Sequence, residues 1–220
     1  MYSFLILGSD LRYLYLKEFL LSKGFDAEIS DEYKEGFDYV VAAPNVNSYS
    51  NIIDYSNDEE FIYENSVLTS EGAIKEAVEH YRGSIKNSKI LIIGYGNIGK
   101  VLSKMLVLLN ADVTVSARKE ADFLFAKNEN IKCINTNDIK SINEYDIVFN
   151  TVPFLLFNKE QIETQKENGV FIELASKPYC VKEEDRKNIN YVLASALPGK
   201  YSPLSAAKII YESILRRLYG

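Results

Sequence analysis

Histidine, cysteine and long apolar runs are scarce in this sequence, and each scarcity excludes something. His80 is the only histidine in 220 residues. That removes His-based metal clusters and argues against a Ser-His-Asp triad, so no metal site is expected. The two cysteines, Cys133 and Cys180, have no C-x-x-C spacing and no second pair to build a framework. They read as reduced thiols of a cytoplasmic protein. No apolar run approaches the ~20 residues that span a bilayer. The opening residues, Met1 to Gly8, lack a basic region and are too short for a signal segment. Basic residues are in the minority, 25 against 31 acidic ones, for a net charge of −6. A nucleic-acid or anionic-membrane partner wants the opposite balance.

What remains is the composition of an ordinary globular protein, 47% hydrophobic and 25% charged. Its most telling stretch is Lys89-Ile-Leu-Ile-Ile-Gly-Tyr-Gly-Asn-Ile-Gly99. A β-branched strand enters a G-x-G-x-x-G, an amphipathic helix to Leu109 leaves it, and a second strand, Asp112 to Ser116, follows. In this frame Gly94 permits the tight turn, Gly96 lets backbone approach a pyrophosphate, and Gly99 lets the helix pack on the strand. The helix start then offers free N–H groups to phosphates. Gly94, Tyr95, Gly96, Asn97, Ile98 and Gly99 are therefore expected to bind a dinucleotide.

An NAD site commonly carries Asp or Glu at the end of the second strand, on the ribose 2′-hydroxyl. Here the strand runs into Ser116-Ala-Arg118-Lys119, with no carboxylate before Glu120. A hydroxyl and two cations suit a 2′-phosphate, Arg118 as a bidentate donor and Lys119 as a point charge. The expected cofactor is NADP.

The expected fold class is α/β, a Rossmann-type doubly wound parallel sheet with a smaller α/β domain before it. The N-terminal domain covers residues 1–83. It contains a strand from Ser3 to Leu7, a helix with apolar positions Leu11, Leu14, Leu16, Phe19 and Leu20, and strands at Asp26–Ile29 and Tyr39–Ala42. Residues 44–48 read as a loop and Asp58 to Phe61 as a short helical segment or turn. Thr69-Ser-Glu71 opens a helix from Gly72 to about Tyr81, with hydroxyls available as caps. The nucleotide domain covers residues 84–204, with strands at Lys89–Ile93, Asp112–Ser116, Ile131–Ile134, Asp146–Asn150, Val170–Leu174 and Tyr191–Ala194. A terminal amphipathic helix, residues 205–219, is expected to return to the first domain.

Ligands of open α/β sheets bind beyond the carboxyl ends of the strands. Three later strands end in Asn150-Thr151-Val152-Pro153, Ala175-Ser176-Lys177-Pro178 and Ser195-Ala-Leu-Pro-Gly-Lys200. Thr151, Val152, Pro153 and Ser176 fall where the nicotinamide ribose is expected. Lys177 and Lys200 are candidates for holding an anionic substrate or polarising a reacting group. Glu71, read as the start of a helix, is the candidate general base. His80, two turns on, reads as a surface or packing residue.

These pieces resemble the A subunit of dipicolinate synthase, in that family's order. The likeness runs from Gly8-Ser-Asp-Leu-Arg12 through Asn65-Ser-Val-Leu-Thr-Ser-Glu-Gly-Ala-Ile74, the glycine fingerprint, Ser116-Ala-Arg118, Asn150-Thr-Val-Pro153, Leu174-Ala-Ser-Lys-Pro178 and Ala196-Leu-Pro-Gly-Lys200 to Ser202–Ile210. The resemblance implies oxidation of a dihydrodipicolinate-type precursor by hydride transfer to NADP during sporulation. It also implies a homo-oligomer that partners the flavoprotein-like B subunit of that enzyme. Arg12, Lys177 and Lys200 would take the two substrate carboxylates and Glu71 the proton. The chain departs from the family in three places. It is short between Ala43 and Asn65, it has Leu68 where the family has proline, and it reads Pro178-Tyr-Cys180 where the family has P-G-G. Two other readings share these residues. One is an NADP-linked reductase of the shikimate-dehydrogenase or hydroxyacid-dehydrogenase kind, and the other is a nucleotide-binding subunit without catalysis.

Overall fold

The computed structural model describes residues 1–43 and 49–220, so the loop expected at 44–48 lies outside the described residues. The chain divides into two compact units, one of residues 1–68 and 196–220 and the other of residues 69–195. The sequence placed these boundaries at 83/84 and 204/205. The first moves because the helix expected after Thr69 begins a good ten residues earlier. The second moves because the Leu197–Tyr201 turn packs with the terminal helix.

In unit 1, β1 (Ser3–Leu7) leads into α1 (Leu11–Ser22), followed by β2 (Asp26–Ser30) and β3 (Tyr39–Val41). The three strands form a parallel sheet in the order β2-β1-β3. Asp10 caps α1 by accepting from the Arg12 N–H, and Gly24, at φ +90°, follows its end. The buried stripe of α1 is Tyr13, Leu16 and Leu20, spaced three and four apart as one helix face requires. Leu11 and Leu14 were expected to join it, but they point off that face and are about half exposed.

Helix α2 (Glu59–His80) is one continuous helix of 22 residues. The expected break at Thr69-Ser-Glu71 does not occur. Hydroxyls inside a helix can donate to the preceding turn instead of capping a start, as Ser66 Oγ does to the Ile62 carbonyl at 2.7 Å. The true start is at Asp58, whose carboxylate accepts from the Phe61 N–H at 2.8 Å. The same carboxylate takes Arg216 Nε at 2.8 Å and Nη2 at 3.0 Å, and Ser213 Oγ at 3.1 Å. The Arg216 hydrogen bonds hold Asp58 far below the ordinary carboxylate range. They also pin the last helix, α8 in chain order (Pro203–Tyr219), to unit 1. Ile209, Ile210 and Ile214 of that helix are buried in one core with Phe4, Leu16, Leu20 and Phe61. The terminal helix therefore returns to the first unit, as expected.

Unit 2 alternates β4 (Lys89–Ile93), α3 (Asn97–Leu108), β5 (Asp112–Ala117), α4 (Glu120–Asn128), β6 (Lys132–Asn135), β7 (Ile147–Asn150), α5 (Lys159–Ile162), β8 (Val170–Glu173), α6 (Glu183–Arg186) and β9 (Tyr191–Leu193). Helix α7 (Leu197–Tyr201) and α8 complete the chain in unit 1. The six strands of unit 2 are parallel, in the order β6-β5-β4-β7-β8-β9. This is the doubly wound dinucleotide-fold order, reversing direction at β4. Ile90 to Ile93 are fully buried, the unbroken apolar run of a strand covered on both faces. Each such side chain contributes about 1.5–3 kcal/mol on burial. The order reverses between β4 and β7, so the crevice lies at their carboxyl ends, beyond Ile93 and Asn150.

Candidate nucleotide site

The glycine turn is built from three different constraints. Gly94 sits at φ +96°, and a Cβ there would lie 2.5 Å from Thr151 Oγ1 and 2.7 Å from Val152 Cγ1. A Cβ on Gly99 would meet the Gly94 carbonyl oxygen at 2.3 Å. A Cβ on Gly96 would meet nothing within 4 Å. Gly94 and Gly99 are thus glycine for internal packing, and Gly96 fronts open space. Gly96 also occupies the N-cap of α3 without a side-chain hydrogen bond, which leaves the first N–H groups of that helix to a ligand. Asn97 is exposed and Ile98 half-buried beside it.

Hydroxyls from both neighbouring strands hold this turn. The Gly94 N–H donates to the Ser116 carbonyl at 3.1 Å and lies 3.4 Å from Ser116 Oγ. Thr151 donates to the Ile93 carbonyl from both N and Oγ1, each at 2.9 Å. Two expectations need correction here. Ser116 is fully buried and accepts from Thr136 Oγ1 at 3.0 Å, so its hydroxyl braces the turn and does not front a 2′-phosphate. Tyr95 is also buried, packed edge-on to Phe125 with its hydroxyl unpartnered among the described residues. Its alternation on the chain turns the ring inward, so only its backbone can face phosphate. Arg118 and Lys119, one step beyond the strand, are exposed, and neither forms an ion pair among the described residues.

At the far side of the crevice a residue that the sequence reading passed over organises the strand ends. Glu173, the last residue of β8, is fully buried. Its Oε1 accepts from Asn150 Nδ2 at 2.5 Å and the Ala175 N–H at 3.2 Å. Its Oε2 accepts from the Cys180 N–H and the Tyr191 hydroxyl, both at 3.1 Å. One carboxylate therefore closes the 175–180 loop at both ends and ties it to β7 and β9. Ser176 and Lys177 sit exposed on that loop, and Thr151 and Val152 are half-buried and Pro153 exposed on the neighbouring one. Burial, then the nearby Glu173, pushes the Cys180 thiol up, which makes it inert. A carboxylate at a buried strand end, in place of the usual apolar residue, was the available signal.

The remaining candidates sit on α1, α2 and α7. Glu71 is exposed in the middle of α2 and not at a helix start. His80 lies 3.3 Å from the buried Glu76 carboxylate. Arg12 and Lys200 belong to unit 1, whereas Glu71 and Lys177 belong to unit 2. Arg12 is mostly buried, its Nε 3.0 Å from Asp10 Oδ1, and it borders Gly199, where a Cβ would lie 2.7 Å from Nε. Lys200 is exposed, its Nζ 4.6 Å from the Tyr201 ring centre.

Residues 61–184, more than half the chain, match the family described as D-isomer specific 2-hydroxyacid dehydrogenase, NAD binding domain. The chain belongs to that family. Unit 2 is accordingly an NAD(P)-binding domain of dehydrogenase type. Among curated proteins the chain is similar to the A subunit of dipicolinate synthase from Bacillus subtilis, 28% identical over 167 residues, which is 74% of this chain and 56% of that protein. It is also similar to shikimate dehydrogenase (NADP(+)) of Clostridium botulinum, 28% identical over 130 residues, 56% of this chain and 50% of that one. The chain spans about half the length of these curated relatives. Among solved structures, the dipicolinate synthase A subunit from Bacillus halodurans matches with a TM-score of 0.87 at 18% identity, covering 100% of this chain and 98% of that one. Its Bacillus subtilis counterpart matches at 0.83 with 19% identity, covering 99% and 95%. The resemblance carried by the sequence motifs thus returns in both comparisons, and the structural likeness extends to the fold of both units. No helix among the described residues is long and apolar enough to cross a membrane.

Proposed function

We propose that this protein is an NADP-dependent oxidoreductase of the dipicolinate synthase type, corresponding to the A subunit of that enzyme. In this reading it oxidises a dihydro precursor of pyridine-2,6-dicarboxylate alongside a flavoprotein-like B subunit. The observation that carries the cofactor assignment is the pairing of the open, uncapped Gly96 turn with Arg118 and Lys119. The turn admits a pyrophosphate. The two exposed cations stand where an NAD site has its ribose-binding carboxylate. The NADP(+) of the shikimate dehydrogenase relatives agrees with this reading.

When bound, the nicotinamide supplies the hydride acceptor. The chain's own residues do the rest. Backbone N–H groups of residues 96–98 bind the pyrophosphate, and Arg118 and Lys119 neutralise the 2′-phosphate. Thr151, Val152 and Pro153 border the nicotinamide ribose. Lys177, held on the loop that Glu173 closes, neutralises a substrate carboxylate, and the resemblance gives Arg12 and Lys200 the same role. Glu71 takes the proton in this scheme, a role that the resemblance supports and its place in α2 does not. Aromatisation of the ring provides the driving force, so binding and orientation are what the protein must add.

Parallel calorimetric titrations with NADP⁺, NADPH, NAD⁺ and NADH test the assignment. The phosphorylated pair should bind more tightly, and Arg118→Ala should cost about tenfold of that preference, roughly 1.4 kcal/mol. Equal affinity of the unmodified protein for both pairs would sink the 2′-phosphate assignment.

A further inference from the structure

The loops after β7 and β8, helix α6 and the last residue of β9 line an open depression of about 750 Å³. Its charged lining runs against the rest of the chain. The whole sequence carries a net charge of −6, yet the depression gathers Lys177, Lys182 and Arg186 against a single carboxylate, Glu183. None of the three cations forms an ion pair among the described residues.

Arg186 is preset in the floor. Its Nε and Nη2 both donate to the Val181 carbonyl, at 3.0 and 2.8 Å. Its guanidinium carbon lies 4.7 Å from the Tyr179 ring centre and 5.3 Å from that of Tyr191. The Tyr191 hydroxyl is tied to the buried Glu173, so that ring is fixed beneath it. The Nη1 edge is left without a partner among the described residues. A guanidinium held this way loses little freedom when it takes a carboxylate. Around it the walls are apolar and uncovered, with Leu155 43% and Leu193 48% exposed. Inorganic anions gain nothing from leucine and tyrosine faces, whereas an organic acid with an apolar body does.

We propose that this depression binds a carboxylate carried on a flat or branched apolar body, with Arg186 taking the carboxylate, Lys182 supporting it, and Leu155, Leu193 and Tyr179 holding the body. The proposal shares only Lys177 with the functional reading above. Arg186 and Lys182 have no part in that reading.

The test is calorimetry on the full chain without nucleotide, using benzoate and inorganic phosphate as probes. Benzoate should bind at least about tenfold more tightly than phosphate. Arg186→Gln should weaken benzoate by about tenfold and Lys182→Gln by about threefold, while the exposed Lys127→Gln on α4 leaves it unchanged. If Arg186→Gln fails to fold, Lys182→Gln together with Leu193→Glu decides, because both alter exposed lining positions. Phosphate binding as tightly as benzoate, or benzoate indifferent to the Arg186, Lys182 and Leu193 changes, overturns the proposal. A parallel NADPH titration separates the two readings. Benzoate binding without NADPH binding keeps this site and removes the cofactor assignment, and the converse result does the opposite.

Discussion

Each unit starts its first crossover the same way, with a strand, a glycine at positive φ and a helix, and the two starts end differently. Gly8, at φ +140°, leads to a helix whose N-cap Asp10 fills the opening with its own carboxylate and grips Arg12. Gly94, at φ +96°, leads to a helix whose N-cap Gly96 offers no side chain and fronts open space. In unit 1 the positive end of the helix is satisfied from within. In unit 2 it is kept for something else. The same βα geometry therefore becomes a structural joint or an anion site according to one residue, the one at the cap.

Three substitutions probe that contrast. The largest effect should come from Gly99→Ala, whose new methyl would sit 2.3 Å from the Gly94 carbonyl. It should cost about 3 kcal/mol in a denaturant titration and abolish nucleotide binding with it. Gly96→Asp would give unit 2 the cap that unit 1 has. It should raise stability by about 0.5 kcal/mol and weaken NADPH by about 100-fold, near 2.7 kcal/mol, because carboxylate and phosphate compete for the same N–H groups. A stabilised variant that still binds NADPH would show that the turn is not the phosphate site. Asp10→Ala should be the mildest, about 1 kcal/mol at neutral pH, since the side chain is partly exposed. Burial pushes the Asp10 carboxyl up, but the Arg12 hydrogen bonds and charge outweigh it and hold it below the ordinary range. Its stabilisation is therefore present above the unfolded value near ~4. It fades as pH falls through the lowered folded value. Melting curves of the two proteins should converge below about pH 4. A gap that persists unchanged in acid would assign the effect to packing.

Much of unit 2 was legible because its signals are local. Ile90 to Ile93 could only be a strand buried on both faces, and the glycine spacing after it has few other uses. All six parallel strands fall within a residue or two of their expected places. The first eighty residues were read less well where sequence offers two meanings. Thr69-Ser-Glu71 has the residues of a helix start, yet it lies inside α2, because the long helix was begun by Asp58 and Asp58 is completed by Arg216, far along the chain. Leu11 and Leu14 looked like core by hydrophobicity, but the packing of α1 selected Tyr13, Leu16 and Leu20.

The sequence by itself determined the alternating α/β class, the glycine turn, the cations that follow β5 and the amphipathic last helix, since periodicity, turn chemistry and charge are written residue by residue. Only the tertiary structure decided which way side chains at those places point. It turned Ser116 and Tyr95 inward, left Arg118 and Lys119 outward, and made Glu173 the tie between three strand ends. Those outcomes depend largely on partners from other strands and helices, and a polar side chain is placed by the partner that satisfies it when buried, which no local pattern encodes.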